Sequence, residues 1–212
     1  MTELVFILDR SGSMSGLESD TIGGFNSMIE RQKKESGQAL VSTILFHNES
    51  TVIHDRLPLE EVARMSEADY CPQGCTALLD AVGDAIHHIG NIHKYARRED
   101  VPERTLFVIT TDGQENASSR YSYDKVKAMI RRQQEHYGWE FLFLGANINA
   151  AAEAKRFGIQ EDRAVRFHCD RSGTALNFQV IGEAVSSVRA CQPLSADWKQ
   201  RIDEDYNARK KR

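Results

Sequence analysis

The sequence predicts an α/β protein with a doubly wound, Rossmann-like, mostly parallel sheet and helices on both faces. Three observations predict it. Short apolar runs alternate along the chain with segments whose apolar residues recur at helical spacing, the pattern of parallel strands joined by right-handed crossovers. The first run, residues 4–8, is apolar at every position, as a strand covered on both faces must be. Residues 41–46 and 51–57 are two β-rich runs separated only by His47-Asn48-Glu49-Ser50, a polar joint short enough for a hairpin, so one strand is antiparallel.

The remaining elements follow in order. Ile22, Phe25 and Ile29 mark an amphipathic helix expected to stop at Gly37. Leu79, Val82, Ile86 and Ile89 stripe a long second helix. His87, His88 and His93 lie on or beside that stripe without an acidic or Cys partner at ligand spacing, and are read as solvated or rim residues. Residues 105–111 form a β-branched strand, and Val126, Met129 and Ile130 mark a helix ending at Gly138. A strand over 141–144, a short helix over 150–156 and a strand over 164–167 come next. Phe178, Ile181, Val185 and Val188 mark a further helix, and Leu194, Trp198 and Ile202 a C-terminal one.

A length of 212 residues suits one domain, and 41% apolar with 27% charged residues is ordinary globular usage. We expect a single domain over 1–212, its core over about 2–190 and a C-terminal helix and basic tail over 191–212. The net charge of −4 argues against a nucleic-acid surface. Arg209-Lys210-Lys211-Arg212 is read as a solvated, frayed end. The leading apolar run ends at Asp9, short of the roughly 7–15 residues of a signal peptide. No stretch approaches the roughly 20 apolar residues of a membrane span. The expectation is a soluble, cytoplasmic protein. Cys71, Cys75, Cys169 and Cys191 are read as free thiols. Cys71 and Cys75 lack the second Cys/His pair that a structural zinc site needs.

In a doubly wound sheet, ligands sit outside the carboxyl ends of the strands, where strand order reverses. Three oxygen-bearing segments fall at such places. Asp9-Arg10-Ser11-Gly12-Ser13 follows the first strand, Gly74-Cys75-Thr76-Ala77-Leu78 precedes the long helix, and Thr110-Thr111-Asp112-Gly113 follows the strand over 105–111. Alone, the first segment is more often turn or N-cap chemistry, and Thr76 at the start of a helix reads as an N-cap. Together they could gather carboxylate and hydroxyl oxygens at one edge, the donors that hard divalent cations prefer.

In this combination, Asp9-x-Ser11-x-Ser13 with Thr76 and Asp112, the sequence resembles the metal-ion-dependent adhesion site of von Willebrand factor A domains. The resemblance covers roughly residues 2–190. It implies a six-stranded sheet with one antiparallel edge strand. It implies that Ser11 and Ser13 coordinate Mg²⁺ or Mn²⁺, with Ca²⁺ also possible, and that Thr76, Asp9 and Asp112 do so directly or through water. It further implies an open position for an Asp or Glu carboxylate from a protein partner, hence a binding module and not an enzyme.

The alternative is a metal-dependent phosphohydrolase with Asp9 as nucleophile. Such sites carry a second acid two residues on, where this chain has Ser11, which does not titrate usefully near neutral pH. A nucleotide-binding reading lacks the Gly-x-Gly-x-x-Gly turn. Asp170-Arg171-Ser172-Gly173-Thr174 repeats part of the first segment and is read as a helix cap. The loop over 60–74, just before Thr76, is the expected source of partner specificity.

Overall fold

The computed structural model describes residues 1–210; the last two residues of the basic run lie outside the described residues. Six strands form one sheet: β1 (Thr2–Asp9), β2 (Ala39–Phe46), β3 (Ser50–Pro58), β4 (Arg104–Thr111), β5 (Glu140–Ala146) and β6 (Ala164–Phe167). Their order is β3-β2-β1-β4-β5-β6. The β2–β3 pair is antiparallel, and every other pairing is parallel. The hairpin read from residues 41–57 is therefore the antiparallel edge.

Among the described residues, six helices cover the sheet: α1 (Glu18–Gln32), α2 (Leu78–Tyr95), α3 (Tyr123–Tyr137), α4 (Ala150–Phe157), α5 (Arg171–Arg189) and α6 (Gln200–Lys210). β1 shows why its run is apolar throughout. Leu4, Phe6 and Leu8 enter one core with Phe25 and Ile29 of α1 and Ile181 and Val185 of α5. Val5 and Ile7 enter the other with Val82 and Ile86 of α2 and Val126 of α3. Each such side chain contributes roughly 1.5–3 kcal/mol on burial, so neither face tolerates a polar alternation.

From β1 the chain crosses to β2 on one side and later to β4 on the other. The strand order reverses between β1 and β4, and the carboxyl ends of these two strands frame the crevice that the fold offers to ligands.

Three expectations need correction in detail. The first helix ends at Gln32, not Gly37. The carbonyls of Gln32, Glu35, Ser36 and Gly37 turn instead onto the guanidinium of Arg189, which is buried on α5. The C-terminal helix is broken: a 3₁₀ turn over Ala196–Lys199 precedes α6. Ser195 caps that turn, and the Trp198 indole N–H donates to the carbonyl of Asp162, so Trp198 is held by the strand side before the helix starts. His93 is not a rim residue: its Nε2 lies 3.1 Å from Oε2 of buried Glu3. His87 and His88 are exposed, as read from the sequence. Among the described residues, no helix is long and apolar enough to cross a membrane.

Candidate metal centre

β1 and β4 run parallel and in register, with Leu8 opposite Thr110. Asp9 and Thr111 therefore end level with each other, and Asp112 follows immediately. The Thr111 hydroxyl donates to Asp9 Oδ2 at 2.7 Å, and the Asp112 N–H reaches the same oxygen at 3.4 Å. The Ser11 N–H donates to Asp9 Oδ1 at 2.7 Å. One carboxylate thus ties two strand ends and the first loop together.

The loop then folds back. A 3₁₀ turn over Gly12–Met14 buries Met14 and brings Ser13 over the strand end. Ser13 Oγ donates to Asp112 Oδ1 at 2.7 Å, and Ser11 Oγ stands 3.1 Å from Ser13 Oγ and 3.5 Å from Asp112 Oδ1. Asp9, Ser11 and Asp112 are buried while Ser13 is exposed, so the cluster opens to solvent on the serine side.

Thr76 arrives from a different direction. The position before α2 is Ala77, which makes no side-chain cap, so Thr76 is not the helix cap its neighbourhood suggests. Its N–H donates to Asn116 Oδ1 at 2.9 Å, and the Asn116 N–H returns to the Thr76 carbonyl at 3.1 Å. This reciprocal pair leaves the Thr76 hydroxyl 3.6 Å from where a Cβ on Gly113 would lie, next to Asp112. The structure brings Asp9, Ser11, Ser13 and Asp112 into one hydrogen-bonded cluster and sets Thr76 at its border.

The free N–H groups opening α2 are capped at long range. Leu79 donates to Glu115 and Asp80 to Ser118. Asp80 in turn accepts the N–H groups of Ser119, Arg120 and Tyr121, each at 3.0 Å. Burial opposes its ionisation, but these donors and the Arg120 charge hold its carboxyl below the usual range. The stretch from Gly113 to Tyr121 is thereby locked onto the helix start that carries Thr76.

The loop before Thr76 is anchored as firmly. The hydroxyl of buried Tyr70 donates to the Asp9 carbonyl at 2.5 Å, and burial raises its pKa. The Gly12 N–H donates to the Gly74 carbonyl at 3.1 Å. Gly74 itself has φ +70°, and a Cβ there would meet Asn48 Oδ1 at 2.0 Å. That oxygen accepts the Cys75 N–H, so glycine is required on both counts.

Electrostatically the cluster is one-sided. Burial pushes the Asp9 pKa up, opposed by its Ser11 and Thr111 hydrogen bonds, and the Asp112 charge adds to the rise. Among the described residues, neither Asp9 nor Asp112 forms an ion pair with Lys, Arg or His. Cys169, between β6 and α5, places its Sγ 3.9 Å from Asp112 Oδ2, and burial beside that carboxylate pushes its thiol pKa up to about 12. Two buried carboxylates with converging hydroxyls and, among the described residues, no cationic partner offer the kind of oxygen donors that hard divalent cations prefer.

Sequence reasoning missed Tyr70, Thr111 as a partner of Asp9, Asn116 and Cys169. Only Asn116 had a signal: Glu115-Asn116 after Gly113 has cap chemistry with no helix of its own to cap. Asp170 behaves as read, capping α5 by accepting the Gly173 N–H at 2.8 Å. Arg209 is not a frayed end: it pairs with Asp170 and Asp205.

No family model and no curated protein matches the sequence. Solved structures do match the fold. Proximal thread matrix protein 1 from the mussel byssus aligns at TM-score 0.60 and 15% identity, over 87% of this chain and 46% of that one. The von Willebrand factor type A structure from Catenulispora acidiphila aligns at TM-score 0.60 and 12% identity, over 88% and 42%. The ArnB paralog VWA2 from Sulfolobus acidocaldarius aligns at TM-score 0.52 and 16% identity, over 87% and 44%. The chain thus spans less than half the length of these structures, and it has the von Willebrand factor A-like fold. A further structure of the mussel protein has a zinc-occupied metal-ion-dependent adhesion site, at TM-score 0.58 and 13% identity over 87% and 46%.

Proposed function

We propose that this chain is a divalent-metal-dependent protein-binding module. Asp9, Ser11, Ser13, Thr76 and Asp112 hold the ion, Mg²⁺ or Mn²⁺, with Ca²⁺ also suited to an all-oxygen set. The observation that carries the reading is the convergence of buried Asp9 and Asp112 on Ser11 and Ser13 with no neutralising side chain among the described residues. When bound, the ion supplies a Lewis-acidic position for an outside oxygen. Only two of the five ligands are anionic, so the ion keeps affinity for a third carboxylate, which an Asp or Glu of the partner supplies. The exposed Ser13 sets that position toward solvent. The mussel protein's zinc-occupied site supports metal binding by this fold.

The loop over 60–74 borders the site through Tyr70 and Gly74 and is the natural source of partner selectivity. A reducing cytoplasm suits four free cysteines. We read the module as a binder, not an enzyme. A phosphohydrolase at Asp9 would need a titratable acid where Ser11 stands.

Affinity capture from native lysate with Mg²⁺ and with EDTA tests the reading, using Asp9→Ala as control. A partner retained only by wild-type protein with Mg²⁺ is the expected result. Capture indifferent to EDTA and to the substitution would refute it.

A further inference from the structure

The edge of the sheet opposite the metal centre carries a groove that neither the proposed ion site nor the core accounts for. It lies between the C-terminal halves of α2 and α3 and the segment leading into β4, and its volume is about 970 Å³. Its floor is apolar, with Ile86 and Trp139, both buried. Its rim is cationic, with Lys94, Arg98 and Arg132, joined by His87 and His136. Among the described residues, no carboxylate lines it.

The arginines show the bias most clearly, because each has a sequence neighbour for comparison. Arg97 pairs with Glu99 and Asp100, and Arg131 pairs with Glu135. Arg98 and Arg132, one residue on in each case, line the groove, and among the described residues neither has an ion pair or a side-chain hydrogen bond. The nearby acids are committed elsewhere: Glu99 and Asp100 to Arg97, Glu135 to Arg131 and Glu103 to the N-terminal amine.

Basic residues near helix C-termini often serve the last carbonyls and the helix dipole. Here the backbone closes those turns. The N–H groups of Gly138 and Trp139 donate to Gln134 and Gln133 at the end of α3, and the Ala96 N–H donates to Ile92 at the end of α2. Arg98 and Arg132 are therefore left to face an outside anion, and Lys94, whose Nζ lies 4.9 Å from the Tyr95 ring centroid, has no carboxylate partner among the described residues.

We propose that this groove binds an acidic peptide segment of a protein partner, with carboxylates on the rim and an apolar side chain on the Trp139 floor. Its size is at the top of the roughly 300–1,000 Å³ range of small-ligand sites, enough for a short extended segment. Arginine and aromatic residues around an apolar floor are the composition of interface anchors. Nucleic acid fits less well. Three permanent charges are fewer than the roughly 6–10 phosphate contacts of a nucleic-acid binder, and the chain's net charge is −4.

The test is fluorescence anisotropy of a labelled Glu-Glu-Leu-Glu-Glu peptide on the full chain, in EDTA and at low salt. Working in EDTA separates the groove from the ion site, so failure here leaves the metal reading standing. Arg98→Glu and Arg132→Glu should each weaken binding about tenfold. Arg201→Glu, on α6 outside the groove lining and paired with Glu183, should leave it within a small factor of wild type. The Gln-Gln-Leu-Gln-Gln peptide should not bind. Absence of binding to the acidic peptide would overturn the proposal. So would equal weakening by Arg201→Glu, or tighter binding of a thymidine oligonucleotide.

Discussion

β1 carries a buried carboxylate at each end, and the protein treats the two differently. Glu3 at its start is 0% exposed and Asp9 at its end 2% exposed. Glu3 is answered from within. The Arg56 guanidinium donates to both its oxygens, at 2.8–3.0 Å, and His93 stands at 3.1 Å. Arg56 holds a left-handed backbone, φ +49°, at the irregular stretch of the β2–β3 pairing. An L residue there is strained, and the ion pair with Glu3 offsets that strain. Among the described residues, Asp9 receives only hydroxyl and backbone donors, and the charge beside it is another carboxylate. A buried anion with its own cation is structure. A buried anion left with neutral donors is the arrangement on which the proposed ion site rests.

The comparison breaks most visibly at Glu3. Arg56→Met strips the main counter-charge from a fully buried carboxylate, and should cost about 3 kcal/mol in urea denaturation. Adding Glu3→Gln should restore a large part of it, because the stranded charge is gone. A loss below about 0.5 kcal/mol would mean that Glu3 is not held as an internal pair.

The pH dependence of metal-free protein sharpens the Asp9 side. The folded state raises the Asp9 pKa above its ordinary 3.8, so the folded protein binds that proton more tightly than the unfolded chain. Stability from this group is present below the ordinary value and is lost as pH rises through the raised one. Asp9→Asn removes the titration. Urea midpoints of wild type should therefore fall relative to the variant as pH climbs through this window. Parallel profiles would contradict the assignment of Asp9 as an uncompensated acid.

The sheet was legible because its signal is local. Residues 4–8 and 141–144 are apolar on both faces, and a four-residue polar joint between β-rich runs leaves little but a hairpin. Helix ends were less legible, because tertiary partners set them. Gly37 looked like the stop of α1, but the helix ends earlier and Arg189, more than 150 residues away, takes the loose carbonyls. Leu194, Trp198 and Ile202 have helical spacing, yet the Trp198 bond to Asp162 interrupts the helix between them. Asp9, Ser11, Ser13, Thr76 and Asp112, the proposed ligands, were named through a resemblance to a known site, since each segment alone reads as turn or cap chemistry. The groups that hold them could not be named that way. Tyr70 and Cys169 reach Asp9 and Asp112 only through the fold, and nothing in their local sequence distinguishes them. Asn116 had the right chemistry, but its target, the backbone of Thr76, lies 40 residues back.

The central claim is that Asp9 and Asp112 are buried for the sake of an external divalent ion. Thermal melting of wild type and Asp9→Asn, metal-free and with Mg²⁺ or Mn²⁺, tests it most directly. Wild type should be stabilised by the ion, by about 2.7 kcal/mol at a hundredfold excess over Kd. Asp9→Asn should melt at or above the metal-free wild type and gain nothing from either ion. An equal gain in Asp9→Asn, or no gain by wild type with any divalent cation, would contradict the account.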